Sequence, residues 1–515
     1  HFTAYDDLPG INKSFKPTLR EDAPAWAKMM YTYPVNYNDL KKAYENYHST
    51  GKKKNPYTRY YKHWSRMIDP LVDSDGTIRM PSAQAINTTL TATRSRTTSH
   101  QARSSGNWTF LGPKVTHWLK EDNSASIPDQ CPWQVNIYSI DISKTNPDIM
   151  YCGTETGAIN KTIDKGLHWQ LVTQDYFTGG GVNALVIHPS NTNIVYAAAG
   201  RQVHKTTDGG QSWKPLLTTT FFDANTLQIS NDGRTLLASA DDGIFMSEDE
   251  GLTWQKKLTL KAYDVTFKAN DENVIFVLGA TNQNFRIYTS VNGGQNFTVA
   301  TNFPANYKDA AGGVLAVTPA NPNVLMMTLL SDNDTPVIAK GILANNNWTW
   351  SEVAKGKTTK LRLDNGQGYY DLDMEISPID EKKFVVATTT MYKTADNGST
   401  FTAVGGYEGD FPIHPDIQDM IFGANGDLWV ATDGGLSMST DYFTSLSNFF
   451  VRTNGIVGSD FWGFDQGWNE DIIVAGRYHN GNTAIADSYQ PKALRMGGAE
   501  SPTGWVIQGK SRHVA

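Results

Sequence analysis

The sequence has only two cysteines, few charged residues and no long apolar run, and each of these shortages narrows the class of protein. Charged residues make up 19% of the 515 positions. The chain has 45 basic and 52 acidic residues, so it has no net positive charge to favour nucleic acid or an anionic membrane as a partner. The two longest uncharged stretches, 176–200 and 310–331, are interrupted by proline and asparagine turns. We therefore predict no transmembrane segment.

Motifs of several enzyme and metal-site classes are also missing. The 11 histidines form neither an HExxH motif nor a Cys/His zinc pattern. There is no P-loop, dinucleotide fingerprint or nucleophile elbow. The segment 73–76 has half of a calcium-loop signature without its distal Glu, and 332–334 is an isolated acidic loop, so both are interpreted as turns. No cofactor or metal site is predicted, and a structural calcium ion has no support in the sequence.

The ends and the cysteines bear on the cellular compartment. The chain begins with His1 where an initiator Met is expected, which favours removal of a signal peptide, although a truncated start gives the same residue. Cys131 and Cys152 fit either one disulfide or two buried thiols, because spacing alone does not give the geometry. We expect a secreted or cell-surface protein.

Abundant aromatic residues, glycine and turn-forming side chains favour an all-β fold. The 58 aromatic residues are accompanied by 44 glycines. Apolar runs typical of central strands recur every 40 to 60 residues, so each interval holds about four strands. Such four-stranded units bury both faces when they pack radially as the blades of a β-propeller. The runs begin near Ile149, Asn193, Thr235, Val274, Val324, Phe384, Leu428 and Ile472.

The N-terminal part differs from this repeat. Residues 1–82 carry aromatic and apolar side chains at roughly helical spacing and predict a small helical segment. Its basic and aromatic run, 52–66, is interpreted as an amphipathic helix with its aromatic face on the main domain and its lysines in water. The alternative is that this run binds an acidic partner. Residues 83–106 are interpreted as a linker, 107–460 as the propeller, and 461–515 as an additional blade or the start of a second propeller.

A second repeat, Ser/Thr-x-Asp-x-Gly-x-x-Trp/Phe, lies in phase with the strands. It predicts a tight turn between the third and fourth strands of a blade, in which the carboxylate accepts amide hydrogen bonds and the aromatic ring packs between sheets. The positions concerned are Asp164 and Trp169, Asp208 and Trp213, Asp249 and Trp254, Asn292 and Phe297, and Asp396 and Phe401.

With this motif the chain resembles the Asp-box, or bacterial neuraminidase repeat, superfamily, which includes sialidases, sortilin-type receptors and double-propeller xyloglucan hydrolases. The resemblance implies a propeller of seven or eight blades and a structural role for the motif, whose turn faces away from the usual ligand mouth. The segment 26–67 also resembles one found ahead of propellers in exported proteins of Bacteroidota, which implies type IX secretion and contacts with the secretion machinery.

Two carboxyls are candidates for hydrolysis. The likeness to xyloglucan hydrolases implies an acidic residue just after a second strand, and Glu155 and Asp433 occupy such places. Paired carboxyls act as general acid and base on a glycosidic bond, but the same residues also make ordinary hairpin turns. In that family the partner carboxyl comes from a second propeller. A sialidase-like arginine site is not supported, because Arg286 precedes a mid-propeller turn and is interpreted as a strand residue.

The predicted function is therefore binding of a glycan or a protein partner at the propeller mouth, with a glycoside hydrolase as the alternative. Aromatic side chains in the connections around the mouth can stack on a sugar or anchor a polypeptide, or simply pack between blades. The candidates for ligand binding are Tyr369, Tyr370, Tyr407 and Trp462.

Overall fold

In the computed structural model of the chain, part of the sequence is described. The described residues are 5–7, 11, 16–49, 55–82, 84–85, 88, 112–118, 130–216, 224–331, 335–356, 361–363, 367–368, 370–467, 471–486, 492–498, 500, 506–507 and 513–514. Most of the predicted linker lies outside them, and so does Tyr369.

The N-terminal segment contains three helices: α1 (Ala25–Met30), α2 (Tyr37–Ser49) and α3 (Pro56–Ile68). Helix α3 begins at a capping box, in which the Thr58 amide donates to Asn55 Oδ1 at 3.1 Å. Its aromatic face packs with the other helices around a buried cluster. This cluster includes Tyr5, Trp26, Tyr37, Tyr57, Tyr60, Tyr61 and Trp64, together with Tyr138 and Tyr370 of the propeller. No helix among the described residues is both long and apolar enough to cross a bilayer.

Apart from short 3₁₀ helices, the remaining elements of the described residues are strands. After β1 (Val115–Trp118), blade 1 holds β2–β5 (Ile137–Ile142, Met150–Thr154, Ile159–Thr162, Gln170–Leu171) and blade 2 holds β6–β9 (Val182–Ile187, Val195–Ala199, Gln202–Thr206, Lys214–Pro215). Blade 3 holds β10–β13 (Ala224–Ile229, Leu236–Ala240, Gly243–Ser247, Gln255–Leu258) and blade 4 holds β14–β17 (Lys261–Lys268, Asp271–Thr281, Asn284–Ser290, Thr298–Val299).

Blade 5 holds β18–β21 (Asp309–Val317, Val324–Ser331, Thr335–Ala344, Asn347–Lys355) and blade 6 holds β22–β25 (Asp373–Ile376, Phe384–Ala387, Thr390–Thr394, Thr402–Gly406). Blade 7 holds β26–β29 (Ile417–Phe422, Leu428–Thr432, Leu436–Ser439, Phe449–Val451). An eighth sheet holds β30–β33 (Phe461–Gln466, Ile473–Arg477, Gly481–Ile485, Lys492–Gly497), and a short pair follows as β34 and β35 (Val506–Ile507, His513–Val514).

Seven of the sheets close into a ring, which confirms the predicted β-propeller. The first strand of each blade lines the channel, and β26 of blade 7 lies beside β2 of blade 1, where the Ile140 amide donates to Asp419 Oδ2 at 2.8 Å. The eighth sheet stands outside this ring and takes up β1 as a parallel fifth strand against β33. The second strands are fully buried in blades 1, 2 and 3, because neighbouring blades cover both faces. Cys131 and Cys152 are separate buried thiols.

The repeated Ser/Thr-x-Asp-x-Gly turns join the third and fourth strands of their blades. In blade 1, Thr162 Oγ1 donates to Asp164 Oδ1 at 2.8 Å, and the same oxygen accepts from the His168 amide at 2.9 Å. Gly166 has φ +73°, a conformation costly for a residue with a Cβ. The same hydrogen bonds recur at Asp208, Asp249, Asn292 and Asp396.

Buried aspartates in the channel strands connect one blade to the next. Asp141 accepts the Ile187 amide of the following blade at 2.7 Å, and Asp264 accepts the Leu315 amide at 2.8 Å. Asp373 makes the same link from blade 6 to blade 7. Burial raises the pKa of Asp141 and of Asp264 to about 6 in spite of these bonds. The inter-blade seams are therefore sensitive to pH.

A double variant, Asp141→Asn with Asp264→Asn, tests this sensitivity. The unfolded-state pKa of these carboxyls is about 4. The folded protein therefore holds their protons between about pH 4 and pH 6, and stability falls as pH rises across that window. The melting temperature of the variant minus that of the wild type should increase over this range. The control Asp249→Asn, whose carboxyl has a lowered pKa, should show no such increase. A pH-independent difference for the double variant contradicts the assignment.

Candidate functional site

The two predicted carboxyls lie at the same end of the propeller. Glu155 is in the turn between β3 and β4, and Asp433 is in the turn between β27 and β28. Turns between second and third strands lie opposite the turns between third and fourth strands, so both residues are at the mouth that faces away from the repeated Asp turns. Helix α3 lies across this mouth.

Asp433 has no exposed surface and is surrounded by hydrogen-bond donors. Its Oδ1 accepts from the Tyr370 hydroxyl at 2.9 Å and from Gln418 Nε2 at 2.8 Å. Its Oδ2 lies 3.4 Å from Arg59 Nη2 and 3.3 Å from His479 Nδ1. Burial raises the pKa of Asp433, and the Arg59 guanidinium acts in the opposite direction. Both oxygens of the carboxyl therefore contact other side chains of this chain.

Glu155 is partly exposed and is linked to Asp433 through two tyrosines. Asn136 Nδ2 donates to Glu155 Oε2 at 2.6 Å, and the Tyr138 hydroxyl also bonds this carboxyl. The hydroxyls of Tyr138 and Tyr370 are 3.3 Å apart, and Tyr370 in turn donates to Asp433. Burial raises the pKa of Glu155, whereas the positive charge of α3 lowers it. The structure thus brings both predicted carboxyls into one polar network.

The basic side of α3 faces the propeller, and three of the lysines predicted to lie in water, at 52–54, are outside the described residues. The Arg59 guanidinium carbon lies 3.3 Å from the centre of the Tyr370 ring. Lys62 pairs with Glu500, and the Arg66 guanidinium lies 4.1 Å from the Trp462 ring centre. These basic residues are three and four positions apart, so they form one face of the helix. The aromatic face packs within the helical segment and against Tyr138 and Tyr370 of the propeller.

The turn between β31 and β32 of the eighth sheet completes the site. Asn480 Nδ2 donates to the Asp433 carbonyl at 2.9 Å, and Arg59 Nη2 lies 2.8 Å from His479 Nε2. A guanidinium can only donate, so Nε2 of His479 accepts and Nδ1 carries the proton. Burial and Arg59 hold the pKa of His479 well below its usual value, so the imidazole is neutral. Sequence reasoning missed His479, although its turn is equivalent to those of Glu155 and Asp433.

The aromatic residues predicted to bind a ligand lie in different surroundings. Tyr370 is buried beneath Arg59, and Trp462 stacks on Tyr478 with ring centres 4.9 Å apart. Tyr407 is the accessible one, with 69% of its surface exposed. The carboxylates below it and burial raise the pKa of its hydroxyl to about 12. Tyr407 therefore lies on an exposed rim of the mouth, beside its buried centre.

A cavity of about 790 Å³ lies in the channel beneath the N-terminal segment. The first strands of all seven blades form its walls, and Lys16 and Tyr57 are among the residues that cover it. The aspartates that connect the blades, including Asp141, Asp264 and Asp373, line it. The helical segment thus closes one end of a polar channel.

Solved structures with a similar fold include enzymes of glycoside hydrolase family GH74. The GH74 xyloglucanase from Xanthomonas campestris aligns with a TM-score of 0.53 at 14% identity, over 67% of this chain and 58% of that chain. An ancestral GH74 enzyme aligns with a TM-score of 0.54 at 15% identity, over 74% of this chain and 55% of that one. The GH74 enzyme of Niastella koreensis aligns with a TM-score of 0.54 at 16% identity, over 72% and 60%.

This chain therefore spans between 55% and 60% of the length of these neighbours. No protein-family model matches the sequence, and no curated protein matches it at a significant level. At such low identity the likeness shows the fold alone, which is that of a β-propeller.

Replacing Arg59 by Met tests the central contact of the mouth. The change leaves Asp433 buried beside an apolar side chain, and loss of one partner from a buried pair costs about 3 to 5 kcal/mol. The matched control is Arg362→Met, because Arg362 pairs with Glu408 at the surface, where 65% and 42% of the two side chains are exposed. The control should lose at most about 1 kcal/mol. Urea unfolding measures both, and equal small losses contradict the assignment.

Proposed function

We propose that the chain is an exported β-propeller that binds a polypeptide carrying basic side chains at the rim of its mouth, and that it is not a glycosidase in this arrangement. The observation that carries the proposal is that α3 fills the centre of the mouth. A glycosidase needs two carboxyls that reach the sugar from either side. Asp433 instead holds Arg59, and Glu155 accepts from Asn136.

The chemistry of the mouth favours a basic polypeptide over a sugar. Arg59 is held by a carboxylate on one side and by the face of Tyr370 on the other, a combination that recognises a guanidinium. At the rim, the exposed ring of Tyr407 lies close to the carboxyls of Asp416 and Asp371. Tyr407 thus offers a second partner an exposed aromatic face above these buried carboxyls.

Export to the cell surface is part of the proposal. It is supported by the resemblance of residues 26–67 to segments of exported Bacteroidota proteins. Protease treatment of intact cells tests it, since a surface protein is cleaved and an internal one is protected.

Binding is tested with an immobilised peptide of alternating arginine and tyrosine, and with soluble xyloglucan and a sialylated glycan. The wild type should be retained by the peptide, less so at high salt, because charge pairs at a rim are screened. Tyr407→Ala should weaken retention about tenfold, as expected for loss of an aromatic anchor. Phe464→Ala is the matched control, since Phe464 is equally exposed on the eighth sheet, and it should leave retention unchanged.

The alternative function is glycoside hydrolysis, which the network between Glu155 and Asp433 and the fold of the GH74 neighbours favour. Sugar release from xyloglucan by the wild type that disappears in Glu155→Gln overturns the proposal, because an amide can neither attack nor transfer a proton. Absence of both sugar release and peptide retention also overturns it. If the protein retains a glycan but not the peptide, its partner at the rim is a sugar and not a basic polypeptide.

A further inference from the structure

Three carboxyls from blades 6 and 7 meet beside one histidine below the mouth. Asp371 precedes β22, Asp416 precedes β26, and Asp433 follows β27. Atoms of Asp416, Asp433 and His479 that can bind a metal all lie within 4.8 Å of one another. A divalent cation holds each ligand at about 2.0 to 2.6 Å, so ligands on opposite sides of one ion are about 4 to 5 Å apart. These groups are therefore spaced to share one ion.

The Asp371 side chain points to a ligand independently of this spacing. It is completely buried, no donor in the described part of the chain bonds either of its carboxyl oxygens, and its hydrogen-bonding neighbour is another carboxyl, that of Asp416. Its carboxyl lies beside that of Asp416, and Arg59 and Asp433 are the next charges that act on it. Two ionised carboxylates repel each other, so a proton or a cation must lie between them. A buried polar group without a partner calls for such an explanation.

The charges of the cluster are also unbalanced. Asp371, Asp416 and Asp433 supply three carboxyls, whereas Arg59 supplies one guanidinium. Buried charges are usually paired or bound to a metal. A divalent cation brings twice the positive charge of the one guanidinium that it displaces.

We propose that Asp416, Asp433 and His479 form a site for one divalent cation, and that the buried Asp371 carboxyl beside Asp416 supports it. Carboxylates suit Mg²⁺, Ca²⁺ and Mn²⁺, whereas imidazole suits transition metals, so the mixed set favours Mn²⁺ or a similar ion. This site shares the carboxyls of Asp371 and Asp416 with the rim of the proposed binding surface, and Mn²⁺ binding is measured separately from peptide retention. It is also separate from the segment 73–76, in which Asp73 pairs with Arg79.

Arg59 competes with the cation. In this structure Nδ1 of His479 carries the proton and Nε2 accepts from Arg59. When the cation binds Nδ1 of His479, the imidazole proton is on Nε2. Nε2 then donates instead of accepting, so it no longer accepts a hydrogen bond from Arg59, and the guanidinium moves away. The cation reaches the cluster from the rim, since the Tyr407 ring is exposed and its hydroxyl is close to Asp371 and Asp416.

The test is titration of the full chain with MnCl₂, followed by calorimetry and by the electron paramagnetic resonance signal of free Mn²⁺. The wild type should bind one ion per chain. Asp371→Asn should weaken binding by about tenfold or more, the usual range for loss of a metal-site group. Arg59→Met should tighten binding by a similar factor, because its guanidinium no longer competes. Asp249→Asn, in a turn at the opposite end, should bind as the wild type does.

Folding of the variants is checked separately by their melting temperatures without metal. Asp371→Asn keeps the shape of the side chain and removes a repulsive charge, so the protein should remain folded. If this variant does not fold, Asp416→Asn takes its place with the same expected loss of affinity. No saturable binding by the wild type at millimolar Mn²⁺ overturns the proposal. Wild-type affinity in Asp371→Asn, or unchanged affinity in Arg59→Met, also overturns it.

Discussion

The contact between Arg59 and the mouth is the interaction on which the arrangement of this molecule depends. Its guanidinium lies on the ring of Tyr370 and beside the carboxyl of Asp433, which is otherwise buried without a positive partner. This contact joins the helical segment to the propeller, and His479 of the eighth sheet bonds to the same guanidinium. Three separate parts of the chain therefore meet at one charge, and they bury the Asp433 carboxyl.

The ring makes this meeting possible because it holds the ends of its strands at fixed positions. Buried aspartates such as Asp141 and Asp419 carry the hydrogen bonding of one blade into the next, including the seam that closes the ring. Their carboxyls replace the hydrogen bonds that neighbouring sheets cannot make directly. The turns that carry Glu155 and Asp433 are thereby brought to one mouth from blades 1 and 7, although they are far apart in sequence.

The repeat was predictable from the sequence because strand, turn and aromatic residues recur at a regular interval. Glu155 and Asp433 could be found because the resemblance to xyloglucan hydrolases implies an acidic residue just after a second strand. Arg59 and His479 could not be placed, because they reach the mouth only when the helices and the eighth sheet dock, and no local pattern encodes docking. The channel aspartates were also missed, since the acceptor role of Asp141 depends on an amide in the next blade.

The most direct measurement of the central claim is a double-mutant cycle with Arg59→Met and Asp433→Asn, followed by urea unfolding. The Arg59→Met change leaves a buried carboxyl without its cation, and the Asp433→Asn change leaves the cation without its carboxyl, so either change alone is costly. When both are made, the uncompensated charge is gone. The account predicts that the double variant is about 2 kcal/mol or more stable than the sum of the single losses implies. Additivity within about 0.5 kcal/mol contradicts the account.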